Sequence, residues 1–320
     1  MKMNRRCRSC PMRSWLIVGL FLLNGGIAAT PASARAATLS QGEETLEESK
    51  GQSAAAIAEV ILDESKEGSV RETAIGEHPE LAAELVAAMS RGLGTDPKEE
   101  YRRIPWIWRV AIAAGRRNEE GELLRLLAVA LPEDQALLTD WQAVVVGGGL
   151  INGITQSGAW PGERIETLVR RDPRLSRRWQ RALDLASKMA DDKSVPTGTR
   201  YDALRMIGAQ SWDLRGGQLF RYLTKGVHPE LQQGAISALG DIQSLVVPQA
   251  LLSGFAHYSE ANRRLVIESL LRDDGRREAL LDALASGHLT RGDLSPEIER
   301  RLVDPKQNHS FERARSLLAK

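Results

Sequence analysis

The most informative absence in this sequence is that of cysteine beyond its first residues. Cys7 and Cys10 are the two cysteines of the chain, and both lie within residues 1–36. Disulfide bonds, thiolate catalysis and cysteine-ligated zinc or iron–sulfur sites are therefore excluded for residues 37–320. No C-x-x-C-H motif for covalent haem attachment occurs. We expect packing alone to hold this part of the chain together.

Motifs of common catalytic and cofactor sites are missing as well. The five histidines show no H-x-x-x-H or H-E-x-x-H spacing, and there is no G-x-S-x-G elbow. Gly147 and Gly149 fit the first two positions of a dinucleotide fingerprint, but Asn152 occupies the third. The glycines instead predict helix backbones that approach closely or turn sharply. We expect no catalytic, cofactor-binding or metal-binding residues, no cofactor, and a protein that is not an enzyme.

Residues 1–36 have the pattern of a cleaved signal peptide. A basic start precedes an apolar stretch from Trp15 to Ala29, and Ala32–Ala34 and Ala34–Ala36 are competing A-x-A cleavage sites. The alternative is an uncleaved N-terminal anchor, but the apolar run is shorter than the ~20 residues that span a membrane. We expect an exported protein, periplasmic or extracellular, without stable membrane insertion after cleavage.

The nearly neutral charge of the whole chain hides an acidic mature protein. The chain has 43 Lys and Arg against 42 Asp and Glu, and six of the basic residues but no acid lie within residues 1–36. Residues 37–320 therefore carry 37 basic and 42 acidic side chains, a net charge of about −5. This balance gives no bulk attraction to nucleic acid, and we expect no nucleic-acid partner.

The apolar pattern predicts helices almost throughout the remaining chain. Residues 37–52 are small and polar, which indicates a flexible leader, and residues 53–190 form an irregular helical region. A dense apolar helix is predicted from Ile104 to Ala114, with Pro105 in its first turn. The near copies His78–Leu81 and His228–Leu231, both H-P-E-L, predict capped helix starts.

Residues 191–320 show a repeat. The stretch from Arg200 to Gly208 is echoed from Gln232 to Gly240, and it is echoed again from Arg263 to Leu271. A second helix is predicted after each, at residues 217–224, 248–255 and 277–285. Helix pairs with a period in the low thirties predict an all-α fold, an α-solenoid of HEAT-like helix pairs with a less regular N-terminal part.

Aromatic residues are scarce at 5%, yet tryptophan dominates them. Beyond residue 36 the tryptophans are Trp106, Trp108, Trp141, Trp160, Trp179 and Trp212. They are interpreted mainly as large core side chains; the alternative is a groove that stacks sugars or peptides. Trp106 and Trp108 are separated by a single residue and so point to different helix faces. Trp106, Trp108, Trp141 and Trp160 are the candidates for an interaction surface.

Several stretches resemble one family of proteins. They are EEYRRIPWIWRVAIAAG (99–115), DWQAVV (140–145), GGGLING (147–153), and a tail with REALLDAL (277–284), DLS (293–295) and ARSLL (314–318). They resemble the helical region of large exported planctomycete proteins, which join a β-propeller dehydrogenase-like domain, HEAT-type repeats and a C-terminal cytochrome c. The tail resembles the segment that precedes the haem domain there.

The resemblance implies an architecture and a setting, but no redox activity. No propeller precedes residue 55, and no haem-binding motif occurs up to Lys320. We therefore expect an exported, non-enzymatic protein-interaction scaffold. By resemblance its partner is a cytochrome c or a propeller-type dehydrogenase. An accessory or split subunit of a periplasmic haem- or quinone-linked dehydrogenase is the alternative, and carbohydrate binding through exposed tryptophan is a third.

Overall fold

The computed structural model describes residues 54–94 and 96–319. The predicted signal peptide, 1–36, and the predicted leader, 37–52, lie outside these described residues. Gln52–Lys320 forms one compact unit. The predicted boundary near residue 190 therefore lies within a continuous packed structure.

All regular elements within the described residues are helical, and no strand occurs among them, which confirms the all-α prediction. Short 3-10 turns lie at Pro79–Leu81, Phe255–His257 and Arg291–Asp293, and a π-helical segment at Ala143–Leu150. The α-helices are α1 (Ala54–Leu62), α2 (Gly68–Glu77), α3 (Ala82–Ser90), α4 (Pro97–Arg117), α5 (Glu120–Ala130), α6 (Asp140–Gln142), α7 (Ile151–Gln156), α8 (Pro161–Val169), α9 (Pro173–Asp191), α10 (Thr197–Ile207), α11 (Trp212–Arg221), α12 (Pro229–Gly240), α13 (Val247–Ser253), α14 (Glu260–Leu270), α15 (Asp274–Ala285), α16 (Pro296–Val303) and α17 (Phe311–Leu318).

Successive helices of the predicted repeats pack against each other in order. The π-helical segment packs against α4 and against α10, α10 packs against α12, and α12 packs against α14. Since α10 has a neighbour on two sides, it buries apolar and charged side chains alike, among them Leu204, Ile207 and Arg205. The helices between these, α11 and α13, pack against α12.

One histidine contact recurs at the repeat spacing. His257 Nε2 lies 2.7 Å from the carbonyl oxygen of Leu223, just after α11. His288 Nε2 lies 2.9 Å from the carbonyl oxygen of Leu252, near the end of α13. The two histidines are separated by about one repeat length, and each lies within hydrogen-bond distance of a carbonyl oxygen near the end of a preceding helix.

A serine–aspartate turn closes α1. Asp63 Oδ1 accepts hydrogen bonds from Ser65 N, over 2.9 Å, and from Ser65 Oγ, over 2.6 Å. Arg71, at the start of α2, then donates from Nε to the Ile61 carbonyl oxygen over 2.6 Å. The arginine thus satisfies a C-terminal carbonyl of α1.

The same turn closes α9. Asp192 Oδ1 accepts hydrogen bonds from Ser194 N, over 2.8 Å, and from Ser194 Oγ, over 2.7 Å. Arg200, in α10, donates from Nε to the Ala190 carbonyl oxygen over 2.8 Å. Every residue of this turn follows its counterpart at α1 by the same offset in sequence, so the same turn stands near the start of both the predicted irregular region and the predicted repeats.

The predicted start of the tryptophan-bearing helix is wrong. Helix α4 begins at Pro97, where the Asp96 side chain accepts a hydrogen bond from Lys98 N over 2.9 Å. Pro105 therefore lies inside the helix and not in its first turn. The apolar pattern places the start too late because the first two turns carry charged residues, whereas an N-cap aspartate followed by proline is itself a strong start signal.

The two H-P-E-L copies differ in their capping. His228 Nδ1 accepts a hydrogen bond from Glu230 N over 3.3 Å at the start of α12, which confirms the predicted cap. His78 precedes the 3-10 turn before α3 and makes no side-chain cap hydrogen bond. The proline is therefore what the two starts share.

Candidate functional site

The glycine-rich run lies in a π-helical segment between two helices. Gly147, Gly148 and Gly149 are buried within Ala143–Leu150. A Cβ atom on Gly149 would lie 2.7 Å from the Trp108 carbonyl oxygen of α4, and one on Gly147 would lie 2.9 Å from the carbonyl carbon of Asp202 in α10. The glycines therefore let the backbone approach both neighbours, which confirms the structural interpretation of this run.

The backbones of α7 and α4 also approach each other closely at a pair of glycines. A Cβ atom on Gly153 would lie 2.8 Å from the Cα atom of Gly115 in α4, and the reverse distance is also 2.8 Å. In the repeats, a Cβ atom on Gly208 would lie 2.7 Å from the Cα atom of Ala238. Real Cβ atoms do not sit at such separations, so small residues set the spacing along this row of helices.

Asp202 is the buried acid beneath the π-helical segment. Its side chain is 7% exposed, and its Oδ1 atom has no hydrogen-bond partner. A Cβ atom on Gly148 would collide with that oxygen and would lie 2.7 Å from Trp108 Nε1. Burial raises the pKa of Asp202 well above its ordinary value, while the nearby Arg205 acts in the opposite direction. Burial therefore favours the neutral form of this carboxyl group.

Asp241, directly after α12, is the centre of a second buried polar cluster. Arg205 Nη2 lies 3.0 Å from Asp241 Oδ2, without the alignment of a hydrogen bond. Arg272 Nη1 donates to Asp241 Oδ1, and Thr155 Oγ1 donates to the same oxygen over 2.9 Å. The partners come from α10, from just after α14 and from α7, so one carboxylate joins three helical elements.

Arg272 and Arg276 extend this cluster to backbone carbonyls. Arg272 donates to the Gly240 oxygen over 2.9 Å and to the Ala159 oxygen over 2.7 Å. Arg276 donates to the Gly240 oxygen over 2.8 Å. Because the last carbonyls of a helix lack internal partners, these arginines satisfy the C-terminal end of α12. The cluster has the chemistry of an internal clamp, with its charged groups paired inside the protein.

The four tryptophans predicted for an interaction surface are buried or half-buried, and they make different contacts. Trp106 is 9% exposed, with the Arg71 guanidinium 3.8 Å from its ring centroid. Trp160 is half-buried beneath Arg272, whose guanidinium also lies 3.8 Å from the ring centroid. Trp108 faces the π-helical segment, and Trp141 packs against the core. Each ring therefore contributes to a different internal contact.

Sequence reasoning misses the buried charges. None of Asp202, Arg205 and Asp241 is singled out as a candidate from the sequence. One signal is present in the sequence: Asp202 and Arg205 interrupt an apolar helix that stands between two predicted helical neighbours. A helix buried on two sides has few exposed positions for a charge, so a charge there calls for a partner.

Four large apolar side chains are exposed in the region predicted to form repeats. Leu214 is 66% exposed and Phe220 41% exposed on α11, and Leu245 is 95% and Val246 47% exposed just before α13. We call these four residues the apolar strip. Leu214 and Leu245 are separated by about one repeat length; Leu214 lies in the first turn of α11, and Leu245 lies in the turn that leads into α13.

Within the described part of the chain, no group of three or more His, Cys, Asp or Glu side chains is placed to hold a metal ion. Among the described helices, none combines the length and the apolar character needed to cross a membrane. Protein-family models give no match to this chain, and neither the curated proteins nor the solved structures contain a similar one.

Proposed function

We propose that this chain is an exported, non-enzymatic protein-interaction scaffold built as an α-solenoid of HEAT-like helix pairs. In such a solenoid, each repeat buries its apolar face against its neighbours, and stacked repeats offer an extended binding surface. The ordered packing of α10, α12 and α14 and the recurring histidine contact support this architecture. The recurrence of the α1 turn at α9 supports extending it into the less regular N-terminal part.

The apolar strip is the observation that carries the interaction proposal. Leu214 and Leu245 both lie near the start of the second helix of a predicted helix pair, and stacking of pairs in a solenoid would bring the starts of successive second helices to one side of the molecule. Apolar side chains at such exposure favour a protein contact when they occur together. The clamp around Asp241, in contrast, has its charged groups paired internally and supports rigidity of the scaffold.

The proposed partner is an exported cytochrome c or propeller-type dehydrogenase, as the family resemblance implies. The net charge of about −5 favours a partner with a basic surface, since complementary charge speeds association. An accessory-subunit role in a haem- or quinone-linked dehydrogenase is the related alternative, and it needs the same contact.

Affinity purification of the tagged full chain from its native host at low salt tests the proposal. We expect a specific partner with the wild type, and its loss in the double variant Leu214→Asp with Leu245→Asp. Leu137→Asp is the matched control, because Leu137 is 77% exposed but lies outside the strip. Recovery of the wild-type chain alone in every preparation would contradict the proposal. A haem absorbance band in the purified complex would favour the accessory-subunit role.

Carbohydrate binding through tryptophan is the weaker candidate. Stacking of a sugar needs an exposed ring face, and each of the six tryptophans in the described residues is buried or half-buried. We expect tryptophan fluorescence to stay unchanged across a panel of glycans. A saturable change with one glycan would reverse this ranking.

A further inference from the structure

We propose that Arg205 is shared between two buried carboxyl groups, Asp241 and Asp202, and that a proton on Asp202 decides which of them it pairs with. The exchange would make the contact between α10 and α12 sensitive to pH. This inference concerns the internal clamp and does not depend on the proposed partner.

Arg205 is placed to reach both acids. It is 3% exposed and lies one helical turn after Asp202 on α10. Residues one turn apart on a helix are neighbours on one face, and the charge of Arg205 acts on Asp202. In the structure its Nη2 atom lies 3.0 Å from Asp241 Oδ2, so Arg205 forms its ion pair with the residue that follows α12.

The two carboxyl groups differ in the number of their ion-pair and hydrogen-bond partners. Asp241 receives Arg205, Arg272 and Thr155, so it keeps an arginine and a hydroxyl group even without Arg205. Asp202 receives no hydrogen bond at Oδ1, although the residue is only 7% exposed. An ionised carboxylate in such a place needs a cation, whereas a neutral carboxyl group does not.

The other groups around Asp202 offer no competing cation. The π-helical segment above it consists of alanine, valine, glycine and leucine, and α4 presents the Trp108 indole. From α12, Glu230 adds a negative charge that raises the pKa of Asp202 further, after burial. On the α9 side, Arg200 is bonded to the Ala190 carbonyl. Arg205 is therefore the cation that can turn to Asp202.

Two states follow from this arrangement. While Asp202 holds its proton, Arg205 pairs with Asp241 and fastens α10 to α12. When the proton leaves to solvent, the buried carboxylate attracts Arg205, and Asp241 is held by Arg272 and Thr155 alone. The side chain that joined two helices then pairs within one helix, and the end of α12 is held less tightly.

Hydrogen exchange of the full chain between pH 5 and pH 9 tests this exchange. After correction for intrinsic rates, we expect opening of the α12 segment Ala235–Gly240 to rise with pH by up to tenfold per pH unit, the limit for release of one proton. The isosteric variant Asp202→Asn should remove this rise and keep the segment protected. Asp213→Asn, an exposed acid on α11, is the control and should behave as the wild type.

A double-mutant cycle between Arg205→Gln and Asp241→Asn supplies a second measurement. We expect the coupling of this pair to weaken from pH 5 to pH 9 in the wild-type background and to stay constant in the Asp202→Asn background. Equal pH dependence in both backgrounds would overturn the proposal. If a variant of the cycle fails to fold, hydrogen exchange of the wild type and of Asp202→Asn provides the test. Identical pH dependence of exchange in these two proteins would reject the proposal.

Discussion

Arg272 and Ala159 stand 113 residues apart in sequence, yet the Arg272 guanidinium donates a 2.7 Å hydrogen bond to the Ala159 carbonyl oxygen. The same side chain bonds Asp241 and stacks on Trp160. One arginine therefore ties the turn after α7 to the ends of α12 and α14. Nearest-neighbour stacking alone does not require a contact of this range.

Replacing Arg272 with alanine should destabilise the protein by about 2–4 kcal/mol, because a buried ion-pair partner and several carbonyl contacts are lost together. Urea denaturation would measure the change in the free energy of unfolding. Arg264→Ala is the control: Arg264 is 69% exposed and pairs with Glu260 on the same helix, so its loss should cost less than about 0.5 kcal/mol. If the two variants changed the free energy of unfolding equally, the contacts of Arg272 would not stabilise the fold as the clamp requires.

Gly148→Ala should destabilise the protein by roughly 2–4 kcal/mol, because the added methyl group would meet Asp202 and Trp108 in a packed interior. The control is Gly217→Ala on α11, where nothing lies within 4 Å of the added carbon. There we expect stabilisation by roughly 0.5–1 kcal/mol from the better helix propensity of alanine. Thermal unfolding monitored by circular dichroism should show a lower unfolding midpoint for Gly148→Ala and a higher one for Gly217→Ala.

Glu99 should hold α4 to the preceding helices down to acid pH. Its carboxylate bonds Arg102 and Arg103, which reach the carbonyls of Leu62 and Met89. Hydrogen bonds from the two arginines lower the pKa of Glu99 to about 2. Its contribution to stability is therefore complete above its ordinary pKa, and it is lost progressively as the pH falls from that value through about 2.

The variant Glu99→Gln tests this contact. We expect it to lower the unfolding midpoint at neutral pH, and the difference from the wild type to shrink as the pH falls from about 4 towards 2. Glu166→Gln removes an acid that pairs with Arg170 at high exposure, and it should leave the midpoint unchanged. A difference that persists undiminished at pH 2 would show that the charge of Glu99 is not responsible.

Helix positions follow from the sequence because apolar spacing is a local property. The first helices of the repeats, α10, α12 and α14, lie where the echoes from Arg200, Gln232 and Arg263 predict them. The glycine-rich run is correctly predicted to serve close backbone approach, since it lacks the third glycine of a nucleotide loop. Boundaries are less certain: Pro105 lies two turns inside α4, whereas the apolar pattern predicts it in the first turn.

The buried charges do not follow from the sequence, for a physical reason. A charged residue is usually solvated, and local pattern does not reveal that α10 has neighbours on two sides. The burial of Asp202 depends on the π-helical segment, which precedes it by several helices, and the pairing of Asp241 depends on Arg272, one helix pair later. Such pairings become visible only when helices that are distant in sequence are brought together.

The turn that joins Asp63 to Arg71 reappears, bond for bond, from Asp192 to Arg200. All four residues of the second copy follow their counterparts in the first by one and the same offset. Each junction thus keeps the same local bonding although the helices on either side of it differ in sequence.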